Sequence, residues 1–488
     1  MRLAGRLDGS PRTFLSLGPV ACLCALLAAS SCGPDRRDVP LELQGAPPRP
    51  TVGPAPGATV GGAPDVVVIL ADDFNWDTFE SIPKPNIDSL AARGMTFTRH
   101  YVAPQCSNTR YSIQFGRYGR RDNVGALVDS YAPPSASNPT PPLELVSIAE
   151  NWRFTPKAVY QTMLIGKWHL GANLLFDGDL APDLGPVEFS AWTPQLQGYD
   201  QFRAGTMTNV VDYENWLRVD NGVYSQSLDF AAGAQLDVFL QWWKGGSGDK
   251  IAVFCTNLPH SPYQPPPAEL LPAGYPTPVT GSELHDAMMV ALDTLVGRML
   301  EVIDLDETYV FFLSDNGTPP NAAITPCNPV FSQGGQGCVK GSVFEGGIKV
   351  PLIVAGPDVP RGSISQSLVS GVDLMATVCD LLEVPLMGGE DSISYREVLR
   401  EPDVKTRRYV FSETFGYFPD LFGNPVFRRE TGVVAERYKL RTVNNREMLF
   451  DLVDDPREFV SLTAGPPGVV EDLRVVRNDP LDRDLQRY

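Results

Sequence analysis

Cys106 and Arg110, in the run Cys106-Ser107-Asn108-Thr109-Arg110, stand four residues apart, so a helix starting at the cysteine would carry both side chains on one face. A nucleophile position beside a fixed cation suits attack on an anionic ester, with Arg110 able to hold Cys106 or an anion next to it. A cysteine taken at random is more often a small buried hydrophobe. Cys106 instead lies in a polar segment, where packing does not explain it. Asp72-Asp73 follows an apolar run, and Ser314-Asp315-Asn316-Gly317 repeats that layout after Phe311-Phe312-Leu313. Asp72, Asp73, Asp315 and Asn316 are hard oxygen donors, which suit calcium or magnesium better than zinc. The four histidines, His100, His169, His260 and His285, are too few for a two-zinc hydrolase site. An acid at a strand end can also simply cap the next helix.

Further candidates stand singly. Lys167 and His169, in Gly166-Lys167-Trp168-His169-Leu170-Gly171, are two apart, as on one face of an extended strand end. His260 lies in Leu258-Pro259-His260-Ser261-Pro262, and Lys340 precedes the loop Gly341 to Gly347. Each alone reads more readily as an exposed charge or a hydrogen-bonded imidazole. Together with the oxygen cluster and Cys106 they form an electropositive cup for a tetrahedral oxyanion.

These residues need a scaffold that gathers strand ends. The β-branched and apolar run Asp65 to Leu70 reads as a parallel strand buried on both faces, and further strands read at Lys250 to Asn257, Thr308 to Leu313 and Val350 to Ala355. Helical patterns lie at Asn86 to Arg93, Leu143 to Glu150, Ser282 to Leu305 and Gly371 to Leu382. The alternation predicts an α/β fold with a large, mainly parallel sheet covered by helices on both faces. Ligands collect at the carboxyl ends of such strands, where Asp72-Asp73 stands.

Arg2, Arg6 and Arg12 precede the apolar run Leu15 to Ala29, which is the pattern of an export signal and too short for a comfortable membrane span. Ser30-Ser31-Cys32 resembles a bacterial lipobox, with Ala29 where leucine is usual, so residues 1–31 are expected to be a lipoprotein-type signal peptide. The Pro/Gly-rich residues 32–63 then read as a tether. This predicts an exported bacterial lipoprotein, periplasmic or at the cell surface, anchored to the membrane through Cys32. Removing residues 1–31 takes away three arginines and one aspartate, so the formal charge goes from −18 to −20 and nucleic acid is disfavoured as a partner. Among the cysteines, Cys327 and Cys338 flank a Gly/Pro-rich loop and leave open a disulfide or two thiols, whereas Cys255 and Cys379 read as packing.

In family order from about Pro64 to Leu382, the chain resembles the sulfatases of the alkaline-phosphatase superfamily that use calcium and formylglycine. The resemblance rests on Asp72-Asp73, Cys106 to Arg110 with Gly116-Arg117, the Gly166 to Gly171 block and Gly198-Tyr199-Asp200. It continues through Pro259 to Pro262, Ser314 to Gly317, Lys340 with Glu345-Gly346-Gly347, and Pro351. A weaker tail match, Tyr438-Lys439-Leu440 and Leu449 to Leu452 with Asp455-Pro456, resembles the family's small antiparallel α+β lobe. The resemblance implies a catalytic domain over 64–400 and a C-terminal subdomain over 401–488.

It also implies roles. Asp72, Asp73, Asp315, Asn316 and the oxidised side chain of Cys106 would bind one calcium ion, and a formylglycine-generating enzyme would convert Cys106. Arg110 and Lys167 would hold the modified side chain, His169 would serve as base, and His260 and Lys340 would grip sulfate and assist the leaving oxygen. The family's modification signal has proline where Asn108 stands, and Asn108 could cap the helix turn in its place. Tyr111 and the run Arg117 to Arg121 are also unusual and would reshape the pocket mouth. The expected activity is hydrolysis of a sulfated sugar or aryl sulfate. The alternatives are a phosphonate or phosphate ester hydrolase on the same scaffold and an inactive anion-binding surface lipoprotein in which Cys106 stays a thiol.

Overall fold

Asp65–Ala71 forms the strand its β-branched run predicts, with Val66 to Ala71 all buried. The computed structural model describes residues 62–129, 135, 138–153, 159–171, 193–324, 338–419, 425–466, 468–481 and 487. Residues 1–61, with the expected signal, Cys32 and most of the expected tether, lie outside them, as does Cys327.

The Asp65–Ala71 strand runs parallel to Lys250–Cys255 on one side and to Thr308–Ser314 on the other. Gln161–Lys167 and then Gln201–Thr206 extend the parallel part beyond Lys250–Cys255. The sheet has ten strands and is mixed at its margins. Leu352–Ala355 pairs antiparallel with Thr308–Ser314, and a hairpin, Trp216–Asp220 with Val223–Ser227, closes the far edge.

Alternate residues feed two apolar layers. Val66, Val68 and Leu70 pack with the helices Cys106–Phe115, Ile148–Trp152 and Leu374–Leu381, while Val67, Ile69 and Ala71 pack with Pro85–Ala92, Ala231–Lys244 and Gly281–Leu300. Three predicted helices are shorter than their apolar patterns. The helix expected from Leu143 begins only at Ile148, because Ser147 and Glu150 form a capping box there. The Ser282 pattern ends at Leu300, and Gly371–Asp373 is a 3₁₀ turn ahead of Leu374–Leu381. The strand expected from Val350 starts at Leu352, after Pro351, which has no N–H to give to a ladder.

Val410–Pro419, Pro425–Val434, Tyr438–Val443 and Arg446–Asp451 form a second, antiparallel sheet, with Leu473 and Val476 of helix Val469–Asn478 packed on Val433 and Leu440. This sheet grips the main one through polar contacts. Ser412 Oγ donates to Val102 O at 2.8 Å, and Asn108 Nδ2 donates to Glu413 O at 2.9 Å. Lys439 is fully buried, with Nζ 2.9 Å from Glu345 Oε1 and 3.0 Å from Glu458 Oε1. Glu458 also accepts from the backbone N–H of Glu345, which fixes the loop carrying Lys340.

Candidate functional site

Ala71 lies level with Ser314, and Leu70 and Gly166 lie level with Cys255. The residues just past these strand ends therefore share one crevice at the carboxyl edge of the sheet. Gly166, at φ +85°, permits the approach, since a Cβ there would lie 2.1 Å from Cys255 O. Asn75, not either aspartate, caps the helix Trp76–Ser81 by accepting from Thr78 N at 2.9 Å. Asp72 and Asp73 are thus free of capping duty, and both are buried.

Cys106 is the first residue of the helix Cys106–Phe115 and is fully buried. Its Sγ lies 3.7 Å from Asp72 Oδ1 and 3.4 Å from Lys340 Nζ. Ligand atoms of Asp72, Asp73, Cys106 and His260 all fall within 4.8 Å of one another, a group able to hold a metal ion. His260 thus joins a set the sequence reading had assigned to oxygens and position 106. Its Nε2 sits 3.5 Å from Asp73 Oδ2, and its Nδ1 lies 2.5 Å from Ser261 O, to which it donates because a carbonyl only accepts. Lys340 Nζ pairs with Asp73 Oδ1, and Lys167 Nζ with Asp72 Oδ2. Asn316 Nδ2 donates to Asp73 Oδ1 at 2.7 Å. Asn316 Oδ1 is buried with no partner, which leaves a hard acceptor beside the acids and fits a cation such as calcium.

Arg110 lies on the expected helix face but not on the sulfur. Its Nε and Nη2 bind Asp315 Oδ2 at 3.0 and 2.8 Å, and Nη1 donates to Lys167 O at 2.8 Å. A guanidinium satisfies two carboxylates and a carbonyl far better than a protonated thiol, so it braces Asp315 and, at 3.6 Å, Asp72. Lys167 and His169 also meet by a route other than strand alternation. The strand ends at Lys167, and His169 takes a left-handed φ of +58°. Its N–H donates to Met207 O at 3.0 Å and Nε2 lies 3.5 Å from Thr208 Oγ1, while Nδ1 is buried without a partner.

Electrostatics follow from burial among opposed charges. Burial alone would raise the Asp72 carboxyl, but Lys167, His260, Arg110 and Lys340 together hold it well below the usual carboxylate range. Asp315 is pushed up to about 7, by burial first and then by the Asp72 charge, with Arg110 opposing. Burial raises the Cys106 thiol to about 12, and Asp315 adds to this against Lys167 and Lys340. His169 is driven well below the ordinary imidazole value by burial and then by the Lys167 charge, so at neutral pH its ring is neutral.

Asn108 does not cap the helix. It lies inside the first turn and its amide reaches the second sheet, and Gln105 occupies the cap position. Within the run Arg117 to Arg121, Tyr118 and Gly119 line a small cavity with Asn108 and Glu413. Arg117 pairs with Asp122 and Glu390, Arg120 with Glu413 and Arg121 with Asp391, so all three bind acids that steady the helix and its neighbours. Cys255 and Cys379 are buried free thiols, as expected, and Cys338 is disulfide-bonded.

Sequence reasoning missed Asn75, Thr318 and Thr208. Asn75 Nδ2 donates to Gly346 O at 3.1 Å and its N–H to Thr318 Oγ1 at 3.0 Å, tying the aspartate turn to the Lys340 loop. Asn75 could have been found as a cap residue ahead of a short helical pattern. Thr208 carries no local signal.

Comparison with known proteins places this constellation. The Sulfatase family model matches residues 64–384. The chain is 27% identical over 474 residues to arylsulfatase G of Homo sapiens, covering 85% of this chain and 86% of that one. It is 27% identical over 448 residues to arylsulfatase A of Homo sapiens, covering 84% and 81%. The fold resembles the crystal structure of Ps i-CgsB in complex with k-i-k-neocarrahexaose, with a TM-score of 0.65 at 18% identity over 86% of this chain and 93% of that one.

Proposed function

This chain belongs to the sulfatase family, the sulfuric ester hydrolases, and from that premise we propose that it hydrolyses the sulfate ester of a sulfated saccharide or aryl alcohol with formylglycine at position 106 and one calcium ion. The observation that carries the reading is the placement of Cys106 Sγ between Asp72 Oδ1 and Lys340 Nζ at 3.7 and 3.4 Å. Asp72, Asp73, Asp315, Asn316 and the oxidised residue 106 would hold the calcium, which when bound supplies charge stabilisation for an attacking alkoxide and for sulfate oxygens. Oxidation of Cys106 supplies a hydrated aldehyde, with one hydroxyl to attack sulfur and a second whose deprotonation releases sulfate.

The remaining work falls to this chain's own side chains. Arg110 braces Asp315 and Asp72 so that their oxygens converge. Lys167, fully buried against Asp72, and Lys340 supply fixed positive charge where the oxyanion gathers negative charge, and they do so without reorganisation. His169, neutral and with Nδ1 unpartnered, is the base that takes a proton at the release step. His260 has Nδ1–H committed to Ser261 O, so Nε2 donates to the leaving oxygen only from the protonated ring, which burial disfavours and the Asp73 and Asp72 charges favour. The saccharide that Ps i-CgsB binds in its crystal structure supports a sugar alcohol as the leaving group.

Mass analysis of the Cys106 peptide from the native host should show a loss of about eighteen mass units, with turnover of an aryl sulfate exceeding that of the matching phosphate ester. An intact thiol in active protein would remove the mechanism. Chelation should lower activity and melting temperature together, since a ligand at one hundred times its Kd adds about 2.7 kcal/mol to folding. A melting temperature that ignores both chelator and added calcium would count against the oxygen cluster. The Arg2 to Cys32 segment supports export and lipid anchoring at Cys32. Labelled palmitate should enter the protein in its host and should fail to enter Cys32→Ala.

A further inference from the structure

His260 stands on a turn, not on a strand or helix, and a donor on a turn needs something to hold it. The turn runs from Asn257 to His260, closed by the His260 N–H donating to Asn257 O at 2.8 Å. It serves both halves of the site, because Leu258 O accepts from the backbone N–H of Asp72 at 3.0 Å while the His260 ring faces Asp73 at 3.5 Å.

Gln235 Nε2 and Thr206 Oγ1 meet the Asn257 side chain at 2.8 and 3.4 Å, and a third side chain from elsewhere spans both ends of the turn through its carbonyls. Tyr213 is fully buried, and its hydroxyl lies 2.5 Å from Asn257 O and 2.8 Å from His260 O. A phenol has one proton, so the hydroxyl shares it between the two carbonyls that bracket the turn. Tyr213 is held in its own place from two directions. Its ring stacks on Phe230 with centroids 5.3 Å apart, and its N–H donates to Gln264 Oε1 at 2.5 Å, while Gln264 Nε2 donates to Asp212 Oδ1 at 3.0 Å.

We propose that Tyr213 is a positioning residue for His260: its hydroxyl fixes the Asn257 to His260 turn so that Nε2 points at the leaving oxygen. The inference rests on the donor role of His260 given above. As the S–O bond to the alcohol breaks, the leaving oxygen keeps the bonding electrons and takes its proton from His260 Nε2. A misplaced donor therefore harms a basic leaving group more than an acidic one. A role in packing alone would slow all substrates alike.

The test compares phenyl sulfate with 4-nitrophenyl sulfate in Tyr213→Phe, which removes a single oxygen. The variant should lose about tenfold or more in kcat with phenyl sulfate and less than about threefold with 4-nitrophenyl sulfate, with KM little changed. His260→Ala serves as the control and should show the same dependence more steeply. Equal losses on both esters in Tyr213→Phe, alongside a steep dependence in His260→Ala, would overturn the positioning role and leave the donor role standing. If His260→Ala shows no such dependence, the donor reading falls and the proposal with it. Should Tyr213→Phe fail to accumulate, Gln264→Leu, which frees the Tyr213 backbone without touching the phenol, must show the same ordering of the two esters, and equal losses there would overturn the proposal.

Discussion

Cys106→Ala should abolish sulfate-ester hydrolysis, by at least about 10⁴-fold in kcat, while costing about 1 kcal/mol or less in stability. The asymmetry follows from the side chain's position. The sulfur is buried at the start of its helix and, among the described residues, its hydrogen-bond partners are Asp72 and Lys340, so removing it leaves a small gap and two charged groups that still have partners in Lys167 and Asp73. Circular dichroism and thermal melts check the folding, and sulfate release checks the chemistry. Turnover retained in a properly folded alanine variant would refute the assigned nucleophile. A dead wild-type protein carrying an unaltered thiol would instead favour the anion-binding reading.

The second large effect is on stability. Lys439→Met should destabilise the fold by about 3–5 kcal/mol, because it leaves two buried carboxylates facing each other without the cation they share. In the intact protein burial works against the Glu345 charge, but Lys439 and Lys349 outweigh it and lower that carboxyl. Glu458 is pushed up to about 7 by burial, with Glu345 adding to the effect and Lys439 opposing it. Denaturant unfolding should therefore show Lys439→Arg close to wild type, and Glu458→Gln should recover part of the loss in the methionine background. A methionine variant within about 1 kcal/mol of wild type would show that the trio contributes little.

What could be read from the sequence was local or periodic. The β-branched run ending on Asp72-Asp73, its echo at Asp315-Asn316 and the four-residue spacing of Cys106 and Arg110 each carry their signal within a few residues, and the fold brings all of these together. What could not be read depends on distant partners. Arg110 chooses Asp315, 205 residues away, over the sulfur four residues away. Asn108 finds Glu413 O, 305 residues on, so it acts as a tether and not as a cap. The left-handed backbone of His169 overrides the two-residue alternation that predicted its facing, and no pattern near Tyr213 marks what its hydroxyl touches.

The distance from Asn108 to Glu413 also sets a clock. A chain elongating at about 5–20 residues per second needs roughly 15–60 s to travel from one to the other. Over that stretch Arg110 lacks its bracing carboxylate until Asp315 is made, and Asn108 lacks its tether until Glu413 is made. On the proposed formylglycine reading, that interval is the one in which a maturation enzyme would reach the segment, before the last sheet buries it.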